Sequence, residues 1–219
     1  MSAAEPERAD RSSERLEAFS DGVFAIVITL LVIELSLPHL QNPQSPGELF
    51  DALLSLRGRF ASYFICFFFV GQLWLAHSNF FRLVARTDGG LLWLNILLLM
   101  CVCLQPFVTT ILGEYPNNPG AVVVFGVLFS ATGAVFGPMS WYCTSRRLWR
   151  PEIDKTRMRR GLRATAVMEA ASLIPLAFAY ASPRLAMVCY VTLILGYIVV
   201  QSQFRMIASA EERSADSSV

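Results

Sequence analysis

Three ionisable side chains sit inside apolar runs of this sequence or at their edges: Asp21, His77 and Glu169. Carboxylates and an imidazole in such surroundings are the groups that relay protons or couple transport to a proton gradient. Each also has a plainer use. Glu169 follows Arg163 and suits a lateral salt bridge; His77 suits a fixed hydrogen bond with the Asp21 group. A second pattern carries no titratable group at all. Gly22, Ile26, Thr29 and Ile33 recur at spacings of 4, 3 and 4. On a helix they fall within a strip about 60° wide, with Arg15 projecting onto its lower end and Asp21 and Glu34 roughly 100° to either side. Carboxylates on two flanks do not suit a helix facing lipid. The helix is therefore expected to be surrounded by protein, its strip either packed against neighbouring helices or facing a symmetry axis.

The segment that must carry the strip, RLEAFSDGVFAIVITLLVIEL, has an uncharged run of only 12 residues, Gly22 to Ile33. That is short of the roughly 20 needed to cross the hydrocarbon. Five further apolar stretches have spanning length: Phe60 to Ala76, Leu91 to Leu112, Ala121 to Thr144, Ala164 to Ala181 and Leu185 to Phe204. With the opening segment they predict an all-α membrane protein of six transmembrane helices. Pro106 and Pro175 interrupt two of them and predict kinks. Gly126, Ser130, Gly133 and Gly137 put small residues at helical spacing on the fourth, which predicts close helix contact rather than ligand binding. The loop PHLQNPQSPGELFDALLSL ends in an apolar period that suits a short amphipathic helix, and GEYPNNPG is a turn by composition.

Composition supports the bilayer reading. The chain is 54% hydrophobic and only 16% charged, against about 25% charged in soluble domains. Of its 18 basic residues, fifteen fall in the N-terminal tail, the loops after the second and fourth spans and the C-terminal tail; only Arg57, Arg59 and Arg184 fall in the opposite loops. Basic residues collect on the cytoplasmic side, so both termini are expected there. The basic loop Arg146 to Arg163 reads as that topology signal, with contact to anionic lipid headgroups, and not as a nucleic-acid site. Five cysteines lie within apolar runs without paired spacing, and His39 and His77 are far apart, so neither a disulfide framework nor a metal site is expected.

Arg15, then Phe19-Ser20-Asp21, then GVFAI and an apolar run resemble the signature of the transmembrane protein 175 potassium channels. WLAHSN from Trp74, LWLN through Asn95, Gln105-Pro106-Phe107 and Gly113-Glu114-Tyr115 agree with it. The resemblance covers Arg15 to Tyr115; the later spans match in number and placement. It implies a prokaryotic homotetramer of single six-helix units, with the first helix of each unit lining a central pore. It places narrow hydrophobic layers on Ile26, Leu30 and Ile33 and a hydroxyl layer linked to potassium preference on Thr29. It makes Arg15, Phe19, Ser20 and Asp21 a structural group joined to Trp74, His77 and Asn95. The helical strip selects Ile26, Thr29 and Ile33 independently, whereas Leu30 lies about 80° from its centre. On this reading the isoleucine level empties a narrow pore of water when closed, and threonine hydroxyls supply oxygen to a partly dehydrated cation. No TVGYG loop is present, so selectivity cannot come from that carbonyl filter.

The expected organisation is a flexible cytoplasmic tail, 1–14, a transmembrane unit, 15–207, and a disordered tail, 208–219. The expected place is the bacterial inner membrane, with lipids and other copies of the chain as partners, no cofactor, and potassium as the transported ion. No nucleotide loop, nucleophile–base pair or redox motif argues for an enzyme. The rival is a secondary transporter or proton pathway through Asp21, His77 and Glu169, although neither a half-to-half repeat nor a break inside Gly22 to Ile33 supports it.

Overall fold

Helix α1, Ala4–Leu30, runs unbroken through the expected boundary at residue 15 and ends in a tight 3-10 turn, Leu31–Glu34. The computed structural model describes residues 4–151, 163 and 166–198, with side chains from residue 14 onward. The tail 208–219 and most of the basic loop lie outside the described residues. After α1 come α2, Pro46–Ser55, α3, Arg57–Phe81, α4, Gly89–Cys103, and α5, Gln105–Glu114. They are followed by α6, Pro119–Ala134, and α7, Phe136–Ser145. Two shorter apolar helices complete the order, α8, Ala166–Phe178, and α9, Pro183–Ile198.

Four segments are long and apolar enough to cross a membrane: Glu14–Glu34, Arg57–Phe81, Gly89–Glu114 and Pro119–Ser145. Among the described residues, α8 and α9 fall short of that length, where the sequence predicts a fifth and a sixth span. The third and fourth spans are each built of two helices, jointed at Leu104 and Val135, and α8 is jointed at Leu173. Each joint lies two or three residues before a proline, Pro106, Pro138 or Pro175. Proline lacks the N–H for the ladder and its ring clashes with the carbonyl four residues back. The chain tightens there: Leu104 bonds to the Cys101 carbonyl and Leu173 to the Ala170 carbonyl, each at 3.3 Å. The helices are interrupted next to Pro106 and Pro175, the two prolines the sequence singles out; the interruption before Pro138 is additional.

The capping residues are those the loops supply. Ser45, Asp88 and Asn118 each accept a backbone N–H at the start of α2, α4 and α6. The expected amphipathic helix is α2: Leu49, Phe50, Leu53 and Leu54 lie on one side of it and are exposed, and none of its residues is buried.

The loops sort to two ends. Ala85 donates to Leu148 at 2.8 Å and Arg150 to Leu83 at 2.9 Å, which joins the arginine-bearing loops after α3 and α7. Arg184 donates to Asn117 at 3.0 Å, and Arg59 reaches both Ser36 and Glu114, which gathers the arginine-poor loops. Large exposed aromatics stand near both ends, Trp93 and Trp141 at the first and Tyr115 and Tyr180 at the second, as in the aromatic belts of membrane proteins. Between the ends, Phe69, Phe125, Phe129 and Tyr190 form an aromatic centre to which α3, α6 and α9 contribute. Three of the four small residues, Gly126, Ser130 and Gly133 on α6, make the close helix contact that their spacing predicts; Gly137, on α7, does not, since a Cβ there would meet nothing within 4 Å. A side chain at Gly126 would collide with Tyr190 and Leu176, one at Gly133 would collide with the Glu169 carboxyl, and Ser130 bonds to Ser172 at 2.8 Å.

Candidate functional site

Helix α1 has two faces of opposite fate. Leu16, Ser20, Phe24, Val27 and Leu31, spaced 4, 4, 3 and 4, are all buried. They pack against α3, α4 and α5 as part of the main core. On the other side Arg15, Gly22, Ile26, Thr29, Leu30 and Ile33 are exposed or half-buried. Ile26 is 60% and Ile33 66% exposed, values that belong to a face no described residue of the same chain covers. The helix is thus half surrounded by its own chain, and its strip is not packed against neighbouring helices of that chain.

The 3-10 turn corrects the simple projection of the strip. In a 3-10 helix residues i and i+3 eclipse each other, so tightening the last turn carries Ile33 away from the line of Thr29 and over Leu30. Leu30, 41% exposed, lies one helical turn from Ile26 on the uncovered side, and the turn sets Ile33 over it.

The buried face ends in a polar clasp. Ser20 donates its hydroxyl proton to the Leu16 carbonyl one turn back at 2.9 Å. Its oxygen therefore accepts, and it does so from the Asn95 amide at 2.9 Å. That turns the Asn95 carbonyl oxygen towards His77 Nε2, 2.8 Å away. An amide oxygen only accepts, so Nε2 carries the imidazole proton. Ser20, Asn95 and His77 are all buried, and unpaired polar groups at such depth are costly, so the three partners specify one another. The imidazole lies beside two rings, Phe24 at 5.5 Å and Phe81 at 4.6 Å between centroids. Nearby, but outside this chain of bonds, Trp74 donates its indole N–H to Asp21 at 2.8 Å.

Five of the seven expected clasp residues are thus brought together, in two pairings rather than one. His77 reaches the Ser20-Asp21 group through Asn95, which bonds to Ser20, while the Asp21 carboxylate accepts from Trp74. Arg15 and Phe19 lie on the exposed side of α1, and Phe19 is 59% exposed. The contributions of Phe24 and of the Leu16 carbonyl are additional; the buried period 16, 20, 24 carried that signal. Glu169 belongs to another cluster, against Gly133 and beside Ser130, Ser172 and Tyr190. Among the described residues no group of metal-ligating side chains is assembled.

An all-helical, multi-pass membrane protein results, whose first span is anchored by a buried polar clasp on one face and bare on the other. Residues 15–106 match the family model described as the endosomal/lysosomal potassium channel TMEM175. A potassium channel of Streptomyces collinus is 37% identical over 147 residues, covering 65% of this chain and 70% of that protein. One from Chamaesiphon minutus is 41% identical over 139 residues, 62% of this chain and 64% of its own length. The crystal structure of a lysosomal potassium-selective channel TMEM175 homolog from Chamaesiphon minutus superposes with a TM-score of 0.77 at 30% identity, over 86% of this chain and 97% of that one. The endosomal/lysosomal proton channel TMEM175 of mouse is 30% identical over 131 residues, and the match spans only 26% of its length. The chain belongs to the TMEM175 family, and is a channel rather than an enzyme.

Proposed function

We propose that this chain forms a homotetrameric, potassium-permeable cation channel of the bacterial inner membrane, with the bare face of α1 lining its central pore. The observation that carries this is the exposure of Ile26, Thr29, Leu30 and Ile33 on a helix whose opposite face is fully buried. A pore helix held rigidly on one side and free on the other fits a ring of identical helices around an axis. Six spans, with α8 and α9 as the last two and both termini cytoplasmic, agree with the sorting of arginines to two ends. The crystallised Chamaesiphon relative, called potassium-selective, supports the choice of ion.

Within the pore Ile26, Leu30 and Ile33 act as the hydrophobic gate and Thr29 as the selective layer. Apolar side chains from every protomer at one level dewet a narrow bore, and an ion does not cross a dry gap cheaply. Thr29 Oγ1 donates its proton to the Ile26 carbonyl at 2.8 Å, which leaves its lone pairs free to face a cation. Arg15, Phe19, Ser20, Asp21, Trp74, His77 and Asn95 serve the structure, with Arg15 and Phe19 acting at the exposed side where another protomer stands. The rival proton route through Asp21, His77 and Glu169 has less behind it, since Glu169 sits in a cluster apart from Asp21 and His77. Reversal potentials of the purified protein in planar bilayers, under opposed potassium and sodium gradients, test the reading. A potential near the potassium equilibrium value supports it; one that follows the proton gradient alone sinks it.

A further inference from the structure

We infer that Arg59 is a positioning residue for the outer gate: it latches the end of the pore-lining segment to α3 and α5 and so sets the level of Ile33. This rests on α1 lining the pore. Four independent features converge on it. Ile33 lies in the 3-10 turn Leu31–Glu34, and short 3-10 turns have poor hydrogen-bond geometry and little hold of their own. Just beyond the turn, Arg59 Nη1 donates to the Ser36 carbonyl at 3.2 Å and to the Ser36 hydroxyl at 3.3 Å. The other arm of the same guanidinium reaches Glu114 Oε1 at 3.5 Å, at the last residue of α5. Finally, α3 and α5 meet backbone to backbone beneath it. A Cβ on Gly58 would stand 3.2 Å from the Gly113 carbonyl oxygen, and one on Gly113 would stand 2.8 Å from Ser62 Oγ and 3.1 Å from Arg59 Cα. Glycine at both positions lets the base of the arginine sit on a rigid joint while its planar fork spans to Ser36 and Glu114.

The energetics favour a positioning role over a stabilising one. The Arg59–Glu114 pair is partly exposed, 33% and 41%, and exposed pairs contribute little to stability. Its loss leaves the clasp and the core intact while freeing the turn that carries Ile33. A charge effect is the alternative account, because a cation at the mouth of a cation pore repels its traffic. Lysine separates the two: it keeps the charge but lacks the fork needed to hold Ser36 and Glu114 together.

The test is basal current through purified tetramers in planar bilayers for Arg59→Gln, Arg59→Lys, Ile33→Ala and the double variant Arg59→Gln/Ile33→Ala. Both Arg59 variants are expected to raise basal current roughly fivefold, with the reversal potential unchanged. Arg59→Gln is expected to add nothing once Ile33 is Ala, since coupled residues are non-additive. Should Arg59→Lys conduct like the parent while Arg59→Gln rises, charge and not latching is at work, and the inference fails. It fails equally if the effects of Arg59→Gln and Ile33→Ala simply multiply. Ile33→Ala read alone separates the two levels of the argument: parental conduction there removes the pore reading at this level, and the latch with it. If Arg59→Gln does not assemble, Arg59→Lys takes its place: raised current that adds nothing to Ile33→Ala supports the latch, and parental current overturns it.

Discussion

Asn95 donates its amide to the Ser20 hydroxyl at 2.9 Å, and both side chains are 0% exposed. The bond joins α1 to α4, so the bare face of the first span is aimed by a fully buried contact rather than by lipid. Asn95→Leu keeps the branched outline and the number of side-chain heavy atoms but strands the His77 N–H and removes the tie to Ser20. Each stranded buried group costs about 1–3 kcal/mol, so a loss of about 2–4 kcal/mol is expected, read as a lowered melting temperature of the detergent-solubilised protein. Melting like the parent would mean that the clasp does not hold α1.

Asp21 serves Trp74, and its oxygen rather than its charge is what the indole N–H needs. Asp21→Asn is therefore expected to assemble close to the parental yield, and Asp21→Ala to give less intact tetramer by size-exclusion chromatography. A well-assembled Asp21→Ala with an altered reversal potential would instead put the carboxylate on the route of the ion.

How far the letters carry the site depends on whether a feature is local. The two faces of α1 follow from spacing alone, because helical periodicity is a property of the segment itself. The place of Ile33 over Leu30 is not legible that way: it depends on the 3-10 turn Leu31–Glu34, which no residue type in LVIE announces. Partner choice is legible only in part. His77 and Asn95 are far from Ser20 in sequence, and nothing in the letters says that Trp74 claims Asp21 first. The third apolar stretch shows its break through Pro106, while Pro138 lies near the end of the fourth, where a proline reads as easily as the close of a span. Glu169 shows the same limit, since its neighbour Gly133 is a matter of packing between α6 and α8.

Ile26 tests the dry gate. It is 60% exposed from its own protomer, so shortening it disturbs little packing within the chain. Ile26→Ala is expected to raise basal conductance by widening the narrow level. Ile26→Asn is expected to raise it further, because an amide holds water where a branched alkyl group expels it. Normal assembly with parental conductance in both variants would show that Ile26 does not gate.

Thr29 carries the sharpest test, because its geometry separates shape from chemistry. The hydroxyl proton is committed to the Ile26 carbonyl at 2.8 Å, so the side chain is fixed and its oxygen can only accept from the pore side. Valine reproduces the outline of threonine without the oxygen. Thr29→Val therefore keeps the helix and removes one cation ligand from every protomer at that level. A partly dehydrated ion then meets methyl groups. If the ring is matched to potassium, its loss costs the larger ion more than sodium. The expected result is reduced current and a reversal potential moved towards zero under opposed potassium and sodium gradients, with Thr29→Ser keeping most of the preference. Thr29→Val that assembles, conducts and keeps the parental reversal potential would place the selective layer elsewhere on the bare face of α1.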